Sequence, residues 1–87
     1  MFDVKVQRTR YNVNFRHVKT ESGEIVTFCT ITNKNGLEST GYAISSHNFN
    51  RNKNRKEALA DALQGRVDRS YRKQFWMEYF NARHGAY

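Results

Sequence analysis

Eighty-seven residues make one small basic α+β domain, 1–87, whose modest core limits its stability. The chain carries 15 Lys and Arg against 8 Asp and Glu, a net charge of +7, a balance that suits polyanions such as nucleic acid, an anionic membrane or an acidic protein surface. One cysteine excludes an internal disulfide, and no apolar run approaches the roughly 18 residues needed to cross a bilayer; of these partners nucleic acid and an acidic protein are expected and a membrane is not.

Phe2, Val4 and Val6 alternate with Asp3, Lys5 and Gln7, the period of a half-buried strand. The parity then slips, because Tyr11, Val13, Phe15 and His17 form the next alternating set. A bulge or turn near Thr9 and Arg10 accounts for the slip. Residues 2–19 are therefore one bulged strand or two strands.

Glu21-Ser22-Gly23 has glycine where a hairpin loop needs a left-handed residue. Glu24 to Thr32 is rich in β-branched and aromatic residues and apolar on both faces, which predicts the central strand. Asn35-Gly36 is a strong hairpin signal. It leads into a strand over Leu37–Ser45, where Tyr42 and Ile44 share a face and Gly41 either weakens the strand or marks close backbone approach. The expected sheet is an antiparallel meander of three strands, or four.

Asn54 followed by Glu57 has the spacing of a capping box, which predicts a helix start at the end of the Asn- and Arg-rich loop 48–54. Ala58, Leu59, Ala62 and Leu63 form the stripe that should lie on the sheet. The pattern resumes at Val67, Tyr71, Phe75 and Tyr79, so the helix bends or breaks near Gly65 and stops by Gly85. The architecture is β-β-β-α with a C-terminal helix, or with a second helix after the break.

Four groups of residues are candidates for function. Arg51, Lys53, Arg55 and Lys56 crowd the helix entrance, where cations oppose the helix dipole and where an arriving phosphate would be welcome. Arg66, Arg69 and Lys73 share one face of the later helix, with Arg72 beside them and Asp68 spaced to pair with it. Tyr71, Phe75, Trp76, Tyr79 and Phe80 form an aromatic cluster too broad for one face. It is mainly core, with Trp76, Tyr79 and Phe80 candidates for a protein-partner or homodimer surface. On the strands, Arg8, Arg10, Arg16, His17 and Lys19 with Asn12 and Asn14 could occupy a sheet face that meets a groove or stacks bases.

No enzyme is expected. His17, His47 and His84 lack metal-ligand spacing with Cys29, Asp61 and Glu57 read as ordinary helix surface, and no phosphate loop or nucleophile elbow is present. No metal and no cofactor are expected. Cys29 in a strand should be buried and inert, and a reducing cytoplasm is the expected compartment.

From Arg55-Lys56-Glu57-Ala58 to Ala62-Leu63 the chain resembles the last third of double-stranded-RNA-binding domains, with the likeness extending over positions 11 to 63. The resemblance implies that Arg55 and Lys56 clamp phosphates and that Ala58 and Ala62 pack on a three-stranded sheet. The chain departs from the pattern at Leu59, where a third lysine belongs, and lacks the helix that precedes the strands in that family. The β-β-β-α order also looks like the sheet-in-groove domains of plant transcription factors and phage integrase arms. Gly41-Tyr42-Ala43 and Asn48-Phe49-Asn50-Arg51 resemble small phage-encoded proteins that occupy a host protein, which implies a host-cell cytoplasm.

The leading expectation is a non-enzymatic nucleic-acid-binding domain with mainly backbone contacts through the basic loop and helix start, joined by Arg66, Arg69, Lys73 and Arg16. The alternative is a phage-type inhibitor that docks on an acidic or nucleic-acid-binding host surface with Trp76 as anchor. A structural subunit of a ribonucleoprotein is a third reading. RNA or DNA, sequence specificity, oligomeric state, hairpin registers and the covered sheet face stay open.

Overall fold

A computed structural model describes residues 2–6, 8–34, 36, 38–45, 50–64, 67 and 69–85. Four strands and two helices follow one another as β1 (Phe2–Val6), β2 (Thr9–Lys19), β3 (Ile25–Asn33), β4 (Glu38–Ser45), α1 (Arg51–Leu63) and α2 (Arg69–Gly85). The fold is α+β, with one antiparallel sheet in the order β1-β2-β3-β4.

The parity slip in the first nineteen residues is a chain reversal. Val6 pairs with Thr9, so β1 folds back on β2 and Phe2 ends opposite Val13. Of the bulge or turn expected near Thr9 and Arg10 it is the turn, closing just before Thr9, and the sheet has the four strands of the second alternative. Gly23 and Gly36 carry the two later turns at φ 89° and 84°, a left-handed backbone that glycine adopts without steric cost. At the first, the Gly23 N–H donates to the Thr20 carbonyl at 3.0 Å. At the second, Gly36 donates to Asn33 at 3.0 Å.

Register decides which side chains face the helices. Val13 lies opposite Ile31, Phe15 opposite Cys29 and His17 opposite Thr27. On the far side of β3, Ile31 faces Ser39, Cys29 faces Gly41 and Thr27 faces Ala43. Val4, Val13, Cys29 and Ile31 on this face are buried with Ala58, Leu59, Ala62 and Leu63 of α1 and Phe75 and Tyr79 of α2. The apolar stripes on the helices thus lie where their spacing placed them. Tyr11 meets Phe75 at 5.3 Å between ring centroids, and Tyr79 packs edge-on against Phe2 and Phe15 at 6.0 Å each. Aromatic rings do much of the work of a core in which Leu59 and Leu63 are the only buried leucines among the described residues.

α1 lies on β4 at very short range. Gly41 is buried beneath it, and a Cβ at that position would sit 2.8 Å from the Ala62 Cα and closer still to the Ala62 nitrogen and Ala58 carbonyl. Two polar links fasten the crossing: Ser39 Oγ donates to the Ala62 carbonyl at 2.5 Å, and the Tyr42 N–H donates to Asp61 Oδ2 at 3.1 Å. The second link covers a backbone donor of the edge strand.

The helix starts earlier than the capping-box spacing suggests. Asn50, extended at φ −121° and ψ 111°, is the N-cap, and its side chain accepts from the Lys53 N–H at 3.0 Å. Asn54 is instead buried inside the helix, donating to Thr27 Oγ1 at 3.3 Å. α1 ends at Leu63 and α2 begins at Arg69, so the helical pattern does break between them; Gly65, Arg66 and Asp68 lie outside the described residues. No described helix is long and apolar enough to cross a membrane.

Candidate nucleic-acid interface

Because both helices pack on one face of the sheet, the other face has no cover within the described chain. The alternation that turns Val13, Phe15, Cys29 and Ile31 toward the helices turns Asn12, Asn14, Arg16 and Val18 outward on β2 and Val26, Phe28, Thr30 and Thr32 outward on β3. Thr40, Tyr42 and Ile44 follow on β4, and Tyr42 and Ile44 are 56% and 53% exposed. The shared face expected for this pair is real, and it is the outer one.

Register arranges these side chains in rows across the strands. Val18, Val26 and Ile44 make an aliphatic row at one end. Next comes Arg16, Phe28 and Tyr42, with the Arg16 guanidinium 5.5 Å from the Phe28 ring centroid. Asn14, Thr30 and Thr40 form the third row, bordering a shallow depression of about 450 Å³ that Arg16 and Phe28 also line. Asn12 and Thr32 follow. A second depression, of about 470 Å³, is lined by Lys5, Arg8, Arg10 and Lys34 around Asp3. Asn12 donates to Asp3 at 2.9 Å and accepts from Asn14, so the one acid lining that depression is tied into an amide chain. The face runs from cations through neutral hydrogen-bonding groups to aromatic and aliphatic surface.

The cations at the start of α1 lie on the opposite side of the sheet, in the helix layer. Arg51 and Lys53 are exposed in a first turn that contains no acid. Arg55 is half-buried, its guanidinium 5.7 Å from the Phe15 ring, and its buried Nε has no hydrogen-bond partner among the described residues. Lys56 reaches over Phe80 of α2, 5.5 Å from the ring centroid. Arg55 and Lys56 therefore brace the helices as well as carrying charge. His17 sits below them with Nδ1 2.7 Å from Thr27 Oγ1. Burial holds its pKa below the usual histidine value, and the nearby Arg55 and Arg51 charges push it the same way.

The remaining candidates divide. Arg69 and Lys73 are exposed on α2, while Arg66 lies outside the described residues, as does Asp68, the expected partner of Arg72. Arg72 donates through Nε to the Val67 carbonyl at 3.1 Å, tying the start of α2 to the linker. Of the residues considered for a protein partner, Tyr79 is corrected: at 2% exposure it is core. Trp76 is half-buried, stacked on Phe80 at 6.2 Å and edge-on to Tyr79 at 5.9 Å. Phe80 and Met77 present the outer apolar surface of α2, 39% and 48% exposed. His17 and Lys19 fall on the covered parity of β2, so Arg10, Arg16, Asn12 and Asn14 of the strand group share the open face, with Arg8 at the rim of its second depression.

Lys5, Lys34, Phe28 and Tyr42 were not among the sequence-based site candidates. Lys5, Phe28 and Tyr42 belong to the outward set of their strands' alternation and Lys34 follows β3, a placement that acquires meaning only once the pairing register is known. Cys29 is fully buried, its thiol pushed up to about 12 by loss of solvent. No group of three His, Cys, Asp or Glu among the described residues could hold a metal ion. No protein-family model, curated protein or solved structure matches the chain.

Proposed function

We propose that this chain is a non-enzymatic nucleic-acid-binding domain whose principal contact surface is the open face of the sheet. The observation that carries the reading is the row arrangement: Lys5, Arg8, Arg10, Lys34 and Arg16 are interleaved with Asn12 and Asn14 and end on Phe28 and Tyr42. Cations neutralise phosphates, amides and hydroxyls meet sugar and base edges, and rings meet base faces. The α1 cations become a secondary contact in this reading, because they stand in the helix layer on the opposite side of the sheet, where Arg55 lies over Phe15 and Lys56 over Phe80.

The test is the salt dependence of binding to labelled oligonucleotides. Each phosphate contact contributes roughly 0.7 to 0.9 to the slope of log affinity against log salt, so Arg8→Ala with Arg10→Ala should flatten it by about 1.5. Arg51→Ala with Lys53→Ala should leave it nearly unchanged. The opposite pattern would move the site to the helix entrance and refute the assignment.

A second reading has its own observation, the exposed Met77 and Phe80 beside Trp76 on α2. An inhibitor of a host protein would use this surface as an anchor, with Arg69 and Lys73 meeting acidic groups. Phe80→Glu should then abolish binding to that protein and leave nucleic-acid affinity unaltered. Unimpaired binding by Phe80→Glu would exclude α2 as the anchor.

A further inference from the structure

The open face is more selective than a cationic surface has to be. Phe28 and Tyr42 are direct cross-strand partners, so their side chains stand roughly 5 Å apart at their bases. They sit between an aliphatic row and a neutral polar row, in a part of the sheet where Arg16 is the one cation among the described neighbours. The other cations lie at the far end, with Lys34 just past the end of β3 and six residues from Phe28, or about 20 Å at strand rise.

We infer that the occupant is single-stranded RNA, two of whose unpaired bases stack on Phe28 and Tyr42. The inference rests on the nucleic-acid reading above and names its substrate class. A duplex keeps its base faces stacked inside and offers phosphates and groove edges, which an aromatic and aliphatic surface serves poorly. The deep, narrow major groove of an RNA duplex also excludes a sheet. Single strands expose the base faces that exposed rings take up.

Arg16 already lies against the Phe28 ring. A guanidinium plane is itself a stacking surface, so Arg16 can either cover a base seated in the depression beside Phe28 or swing to a phosphate. Asn14, Thr30 and Thr40 next to the platform are neutral groups that both donate and accept. That is the chemistry a ribose 2′-hydroxyl pairs with, and deoxyribose offers nothing there. Lys5, Arg8, Arg10 and Lys34 would hold the phosphates of flanking nucleotides. A second copy of this chain is disfavoured as the occupant, because two faces with these cations would repel.

The experiment uses the full chain and fluorescein-labelled single-stranded RNA of about 12 nucleotides. Single-stranded DNA of the same sequence and the RNA duplex are compared at near-physiological salt by anisotropy. Single-stranded RNA should bind tightest. Phe28→Leu and Tyr42→Leu keep apolar volume but remove the ring, and each should weaken it by about five- to a hundredfold with an unchanged salt slope. Circular dichroism and urea unfolding check that the variants fold, and Tyr42→Leu, at the more exposed site, guards against a folding defect in the other.

Duplex RNA binding as tightly as the single strand, or folded Leu variants binding like the parent, would overturn the stacking inference. Equal affinity for single-stranded DNA would overturn the choice of RNA. Binding to none of the three would overturn the nucleic-acid reading itself, a different failure from the other two.

Discussion

Gly41→Ala should damage this fold more than any other single methyl group. The added Cβ meets backbone rather than a movable side chain: the Ala62 nitrogen, the Ala58 carbonyl and the Ala62 Cα at 2.8 Å. No rotamer relieves such a contact, so α1 must lift from β4. Overpacking of this kind costs roughly 1–3 kcal/mol. Lifting the helix also stretches the Ser39–Ala62 and Tyr42–Asp61 hydrogen bonds, each worth about 1 kcal/mol or more, the second involving a carboxylate. The expected loss is about 3 kcal/mol or more, a large share of the 5–15 kcal/mol typical of a domain. For a domain of this size it corresponds to a fall in Tm of roughly 12–24 °C. Urea unfolding followed by circular dichroism measures it. Ala62→Gly should not rescue the variant, because the obstruction is helix backbone. A loss under about 1 kcal/mol, or rescue by Ala62→Gly, would refute the close crossing.

Three further outcomes are expected. Asn50→Ala removes the acceptor of the Lys53 N–H and should cost about 1 kcal/mol in urea unfolding, while Asn52→Ala, exposed in the first turn, should cost much less. His17 has a folded pKa held below its unfolded value near 6.5, chiefly by burial and then by Arg55 and Arg51. Its contribution is complete above that value and is lost as pH falls from about 6.5 toward the folded pKa, so the urea midpoint should drop across this window. In His17→Gln the drop should be smaller. Cys29 should resist a thiol reagent in the native protein and react in urea, with a rate that follows unfolding; prompt native reaction would contradict its burial.

Much of the fold was legible because strong local signals agreed with the final packing. Gly23 and Gly36 occupy the left-handed positions their turns require, and Ala58, Leu59, Ala62 and Leu63 bury the face their spacing marked. Of the asparagines at 48, 50, 52 and 54 only Asn54 has a glutamate three residues on, so the local capping-box signal favours it over Asn50, the N-cap in the fold. Tertiary contact separates them: Asn54 is drawn inward to Thr27, leaving Asn50 at the cap. The first hairpin was ambiguous for a related reason. A parity slip fits a bulge as well as a reversal, and only the pairing of Val6 with Thr9 distinguishes them.

The candidate surface was less legible than the fold. Charge alone pointed to Arg51, Lys53, Arg55 and Lys56, but aromatic contacts at 5.7 and 5.5 Å give Arg55 and Lys56 structural duties. Phe28 and Tyr42 looked like ordinary strand residues until the register made them neighbours on an uncovered face. A one-residue shift between β2 and β3 would have turned both toward the core, and one between β3 and β4 would have separated them.

Backbone amide NMR of the labelled chain, titrated with unlabelled single-stranded RNA, locates the contact surface directly. The open-face reading expects the large shifts at Asn12, Asn14, Arg16, Phe28, Thr30, Thr40 and Tyr42, with little change through α1. Shifts concentrated at Arg51–Lys56, or along α2 around Trp76 and Phe80, would contradict it.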